Sequence, residues 1–279
     1  MSVEIIGLHE WFETPPGRYL LEWERLQFDA AVADIFGYHA LQLGLPALDA
    51  LQSNRMPHRW LACETQPPLQ PPLPPGHAPL GAGRTALVSS FCALPFPENS
   101  LDLVLLPHTL ELNHEPHATL REVERVLVPE GRVIICGLNP ASLWGLRQRR
   151  AYLYQKLGFG QLYLPREGDF IGYWRMRDWL RLLGFEVESG QFGCYSPSVG
   201  SEAWLNRFHW MDKAGPRWWP IFGAAYFLVA VKRVRGMKLL GPAWKNTSSL
   251  ASAPVPLANK ARPAGDTQKT TDACGHNSP

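Results

Sequence analysis

Two short segments, LDLVLL at 101–106 and RVIICGL at 132–138, are apolar almost throughout, and each has the length of one strand. A strand exposed on one side alternates apolar with polar residues, whereas a nearly continuous apolar run belongs to a strand covered on both faces. Between the two, PHATLREVERVLV at 116–128 changes period. Pro116 stands near its start, and Leu120, Val123 and Leu127 fall on one helical face with charged residues opposite. Such alternation predicts an α/β fold whose sheet carries helices on both faces.

The scheme extends in both directions. Residues 14–36, TPPGRYLLEWERLQFDAAVADIF, read as a helix with Thr14 as N-cap and two prolines in the first turn. Leu20, Leu21, Leu26, Phe28, Val32 and Phe36 form its apolar stripe, and Gly37 is placed to end it. His39–Leu43 reads as a buried strand, Pro46–Leu51 as the start of another helix, and RWLACE at 59–64 as a second strand. TALVSSF, from Thr85, is strand-like and LPFPENS is a turn. RMRDWLRLLG at 175–184 is a helix with Met176, Trp179, Leu180 and Leu183 inward and Gly184 closing it. FEVESGQF and GAAYFLVAVKRV, the latter at 223–234, supply the last strands.

The longest apolar run, FGAAYFLVAV at 222–231, is half the roughly 20 residues that a membrane span needs, so it is a core strand and no membrane partner is expected. QPPLQPPLPPGHAP at 66–79 predicts an extended surface insertion. Beyond Arg235 the chain becomes rich in Ser, Thr, Ala, Pro, Asn and Lys, and 236–279 reads as a disordered tail. The organisation expected is one domain over 1–235 with an N-terminal helical cap at 1–38. Insertions at 141–174 and 190–222 interrupt the strand pattern.

Composition narrows the function classes. Hydrophobic residues at 46% and charged residues at 19% exclude a mostly disordered chain. A formal net charge of +2 gives no argument for a nucleic-acid or anionic-membrane partner. Cys63, Cys92, Cys136, Cys194 and Cys274 are scattered without a CxxC pair, which fits reduced thiols in the cytoplasm. MSVEIIGLHEW has no basic region and an early Glu4, so no signal peptide is expected there.

Residues 91–140, FCALPFPENSLDLVLLPHTLELNHEPHATLREVERVLVPEGRVIICGLNP, resemble the class I S-adenosylmethionine-dependent methyltransferases, and more narrowly their type 11 branch. The LPFPENSLDLV turn and strand, the LREVERVL helix and PEGRVII carry the likeness, and MRDWLRLLGFEVES at 176–189 extends it. The resemblance runs from about residue 39 to about residue 234. It implies a Rossmann-like, seven-stranded, mostly parallel sheet whose last strand is antiparallel. It also implies S-adenosyl-L-methionine as cofactor at the carboxyl ends of the strands, where open α/β sheets leave a crevice.

Aligned on that family, HALQLGLPAL occupies the first cofactor loop. Gly44 is retained, while Leu45 and Pro46 follow it and Leu48 stands where a later glycine is usual. The loop either takes another path and holds cofactor through backbone groups, or binds it weakly or not at all, or the register is shifted. Glu64 lies 20 residues after Gly44, near the spacing of about 20 for the ribose-binding acid of nucleotide folds; a solvated glutamate is the plainer role. Ser90 stands at the family's adenine-side aspartate and keeps one hydroxyl for hydrogen bonding. Phe91 beside it either stacks on the base or packs in the core.

PHTLELNHEPH at 107–117 gathers His108, Glu111, His114, Glu115 and His117 just past a strand. It matches no recognised metal motif, and no metal site is expected. By resemblance His108 lies near the methyl donor, where it orients a substrate or takes its proton as a catalytic residue. Arg121, Glu122, Glu124 and Arg125 read as helix-surface charges. Trp144, Tyr152, Tyr154, Trp204, Trp210, Trp218 and Trp219 crowd the two insertions. An aromatic lid fits a planar or lipophilic small-molecule acceptor; contact of these rings and Arg147, Arg149 and Arg150 with RNA, or packing as an added subdomain, are the alternatives. Two function classes follow: a methyltransferase acting by in-line transfer, and a non-catalytic binding or scaffold protein on the same fold.

Overall fold

Short runs of aliphatic and β-branched residues, each bounded by turn residues, produce seven strands. These are β1 His39–Leu43, β2 His58–Cys63, β3 Thr85–Val88, β4 Leu101–Pro107, β5 Leu127–Leu138, β6 Phe185–Gly193 and β7 Ala225–Lys232. The computed structural model describes residues 11–65, 85–156, 163–164, 168–198 and 201–234. Its strands form one sheet in the order β3-β2-β1-β4-β5-β7-β6. β1 pairs in parallel with β2 and β4, β2 with β3, and β4 with β5, while β7 runs antiparallel to β5 and β6. The expected mostly parallel sheet is present, with its last strand inserted one place in from the edge.

Helices cover both faces. They are α1 Pro15–Val32, α2 Thr109–Leu112, α3 Pro116–Val126, α4 Leu143–Lys156, α5 Tyr173–Leu182, α6 Glu202–Phe208 and α7 Trp210–Trp218. Neighbouring residues of a strand point to opposite faces, which sorts the core into two layers. Leu41, Val104, Leu106, Val133, Ile135 and Leu228 share one with Leu120 and Val123 of α3 and Met176 and Leu180 of α5. Ala40, Leu103, Leu105, Ile134, Cys136 and Phe227 share the other with Phe28 and Val32 of α1. The Phe28 and Phe227 rings meet edge to face at 4.9 Å. Each such buried side chain contributes about 1.5–3 kcal/mol.

Several boundaries differ from expectation. Thr14 caps α1 as predicted, its Oγ1 accepting from the Gly17 N–H at 3.3 Å, but the helix stops at Val32 and leaves Leu26 and Phe36 exposed. Gly37 is no helix cap. It allows a close approach, since a Cβ there would lie 2.6 Å from Asp102 Cγ, while Asp102 Oδ2 accepts from the N–H groups of Tyr38 and His39 at 2.8 and 2.9 Å. Pro46–Leu51 is a series of turns and bends, not a helix. Leu127 opens β5 instead of ending α3, and the PEG segment sits inside that strand as an irregularity, with Glu130 at φ 65°.

The proline-rich stretch at 66–79 and the tail at 236–279 lie outside the described residues. The chain divides into two compact units, Met1–Val234 and Arg235–Pro279, and everything described belongs to the first. Among the described residues no helix is long and apolar enough to cross a membrane.

Candidate active site

Strand order reverses between β1 and β4, and in open α/β sheets the loops diverge at such a point. β1 leads directly into Gly44 at φ 72° and Leu45 at φ 44°. Two successive residues in the left-handed region turn the chain sharply away from the sheet, a conformation that costs Leu45 about 1–2 kcal/mol. A Cβ on Gly44 would lie 3.4 Å from Thr109 Oγ1 and 3.7 Å from Phe91 Cζ. The Gly44 backbone, Thr109 and the Phe91 ring are thus close neighbours, with room for no more than a Cβ at ordinary contact distance. Thr109 Oγ1 donates to the Leu43 carbonyl at 2.5 Å, fastening the end of β4 to the end of β1.

A side chain that sequence reading missed shapes the loop. Gln42 is fully buried within β1. Its Nε2 donates to the carbonyls of Gly44 and Leu45, each at 3.1 Å, and of Leu48 at 2.8 Å. Its Oε1 accepts from the Ala50 N–H at 3.1 Å. A buried amide must find partners, and here they are the backbone groups of the segment that takes the place of the expected helix. Pro46 is half-buried in that turn, and Leu48 belongs to the core layer of Phe28 and Val32.

The remaining candidate cofactor positions lie at the ends of neighbouring strands. Glu64 is exposed just past β2, and Ser90 is exposed just past β3, its Oγ accepting from the Cys92 N–H at 3.3 Å. Phe91 is a core residue that also faces Gly44.

His108 follows β4 at φ 53° and is buried. Its Nδ1 donates to Glu111 Oε2 at 2.8 Å and its Nε2 to Glu24 Oε1 at 2.6 Å. Burial alone lowers the imidazole pKa, but the Glu24 charge and the hydrogen bonds to both carboxylates carry it up to about 10. Glu111 is raised by burial, against the opposing hydrogen bond from His108; its Oε1 accepts from the Leu138 N–H at 2.5 Å. Cys136 Sγ donates to Glu24 Oε1 at 3.3 Å, and burial, then the Glu24 charge, push its thiol well above the ordinary range. Neither ring nitrogen of His108 is open to a substrate. His114 and His117 are exposed, and His117 packs on Trp179.

Sequence reading missed Glu24 although a signal was there. Leu20, Glu24, Phe28 and Val32 recur at four-residue spacing, which sets a carboxylate into an apolar stripe. The aromatic insertions divide. Trp144 is core, its Nε1 donating to the Ser196 carbonyl at 2.8 Å, whereas Trp204, Trp210 and Trp218 are exposed. Leu143, Leu146, Arg147, Arg150, Tyr154 and Pro197 line a groove of about 540 Å³ outside α4.

Residues 77–135 match the family model for a methyltransferase domain, type 11. The chain has the fold of class I methyltransferases. It is 30% identical over 178 residues to the uncharacterized protein YafS of Escherichia coli (strain K12), a match covering 63% of this chain and 65% of that one. Similar folds are a SAM-dependent methyltransferase from Thermotoga maritima and one from Archaeoglobus fulgidus. The first has a TM-score of 0.51 at 16% identity over 77% of this chain and 92% of that one. The second has 0.50 at 16% over 76% and 94%. At these identities the likeness is one of fold. Within this class I methyltransferase frame, Gly44, Glu64, Ser90 and His108 follow β1, β2, β3 and β4, all at carboxyl ends.

Proposed function

We propose that the chain is an S-adenosylmethionine-dependent methyltransferase acting on a small-molecule acceptor. The observation that supports it is convergence. Four candidate positions follow four neighbouring strands, around a Gly44 backbone that has no side chain between it and Thr109 or Phe91. The residues present fit the cofactor. Backbone groups of Gly44, Leu45 and Pro46 would border it, the exposed Glu64 carboxylate would accept from the ribose hydroxyls, and Ser90 and Phe91 would meet the adenine.

The cofactor, when bound, supplies a methyl carbon activated by its sulfonium. What the chain contributes is orientation of the acceptor for in-line attack and exclusion of water, with a base needed only where the nucleophile carries a proton. His108 serves this reading by position: it ties the start of α2 to Glu24 of α1, while Thr109 beside it bonds the end of β1.

Calorimetric titration with S-adenosylmethionine and S-adenosylhomocysteine tests the proposal. One site for each ligand is expected, with Glu64→Ala weakening both about tenfold through the lost charged hydrogen bonds. His108→Ala is expected to lower turnover more than cofactor affinity. Absence of binding by either ligand selects the second reading, a non-catalytic binding protein on this fold. Two features favour that alternative: the missing helix after β1, and a serine in place of a carboxylate at residue 90.

A further inference from the structure

Methyl transfer gives no reason for the buried Glu24 and Cys136 beside His108. Glu24 comes from α1, His108 from the end of β4 and Cys136 from β5, and all three are buried. Both Glu24 oxygens are away from water, and its Oε2 has no hydrogen-bond partner among the described residues. Leaving such an oxygen unsatisfied costs about 1–3 kcal/mol, and leucine at that position of the stripe would avoid it. The three donor atoms converge: His108 Nε2 and Cys136 Sγ lie 2.6 and 3.3 Å from Glu24 Oε1, and all lie within 4.8 Å of one another.

One imidazole nitrogen, one thiolate and one carboxylate form a donor set that favours zinc over the hard cations. Behind the histidine, Glu111 Oε2 takes the Nδ1 proton at 2.8 Å, and its other oxygen is held by the Leu138 N–H. A carboxylate in that place fixes the tautomer that presents Nε2 to a metal. The unpartnered Glu24 Oε2 would be a fourth donor, closing the site as structural zinc sites are closed.

We propose that Glu24, His108 and Cys136 bind one zinc ion that ties helix α1 to strands β4 and β5. Zinc entering the cluster replaces the proton between Nε2 and Oε1 and the thiol proton. Two protons leave, and the ligands become a neutral imidazole and a thiolate; no oxidant or reductant is involved. Bond lengths of about 2.0–2.3 Å require Nε2 and Oε1 to separate by about 1 Å, a displacement within reach of the Glu24 side-chain torsions. His108 is shared with the methyl-transfer reading, but the test reads metal binding alone, so either reading can fail while the other stands.

The full chain, expressed without a histidine tag in medium supplemented with zinc or with cobalt, tests the site. Elemental analysis should find about one zinc per chain after dialysis. The cobalt protein should show a thiolate-to-metal charge-transfer band that Cys136→Ser abolishes and Cys92→Ser leaves intact. Glu111→Gln should keep the band while weakening zinc binding about 10–100-fold, as loss of a carboxylate behind a ligating histidine does. Wild-type protein without stoichiometric metal, or a charge-transfer band that survives Cys136→Ser, overturns the proposal.

Discussion

Gln42 is buried in a central strand, and its amide hydrogen-bonds to backbone groups of residues 44–50. Gln42→Leu keeps the volume approximately but strands the Leu48 carbonyl and the Ala50 N–H in the core. The expected cost is about 2–4 kcal/mol, read as a lower urea midpoint, together with weaker S-adenosylhomocysteine binding as the Gly44–Leu45 turn loosens. Gly44→Ala meets no clash, because its Cβ would stay 3.4 Å or more from its neighbours. Its cost is therefore the left-handed backbone alone, about 1–2 kcal/mol in the same urea measurement. These positions were unequally legible. The Gly44 turn is legible because a glycine after a buried strand belongs to a local pattern. Glu24 is not, since its partners His108 and Cys136 lie 84 and 112 residues away, and a polar residue in an apolar stripe does not announce what it meets. His108 follows β4, as the apolar run before it predicts, but its burial depends on α1 and is invisible in the sequence.

Helices with strong periodicity are legible to within two residues at each end, as α3 and α5 show, because one apolar face facing a sheet leaves little choice of orientation. The link between β1 and β2 was misread as helical because a buried glutamine, not helix propensity, organises it. The charges of α3 also do more than surface charges would. Glu122 accepts from the Leu94 N–H at 2.8 Å and from Arg125 Nη2 at 2.6 Å, and Arg125 Nη2 donates to the Phe96 carbonyl at 2.9 Å. The helix thus clamps the turn that leads into β4. The Arg125 hydrogen bond is the main cause that lowers the Glu122 pKa. A lowered carboxylate contributes stability that is full above the ordinary glutamate value of about 4.3 and is lost as pH falls through the folded value. Glu122→Gln should cost about 1–2 kcal/mol at neutral pH. It should also flatten the acid side of the stability curve, measured by urea unfolding from neutral pH downward.

At the scale of the molecule, the candidate cofactor loop is not an appendage. Leu48, Ala50 and Leu51 belong to the same core layer as Phe28, Leu105 and Phe227, so the Gly44 turn cannot open far without exposing that layer. A ligand bound there should then stabilise the whole sheet, since it binds only the folded state. With S-adenosylhomocysteine at one hundred times its dissociation constant, stability should rise by about 2.7 kcal/mol. For a chain of this size that is about 5–10 °C in melting temperature. Near-ultraviolet circular dichroism and tryptophan fluorescence report different parts of the sheet and should shift together. A shift seen by one probe alone would mean that the loop folds apart from the core, contrary to the packing of Leu48. No shift with either S-adenosylhomocysteine or S-adenosylmethionine would leave the sheet order and both core layers intact while removing the ligand from the account. The same scaffold supports both outcomes, because the order of strands fixes where a crevice forms, and the side chains around Gly44 decide what enters it.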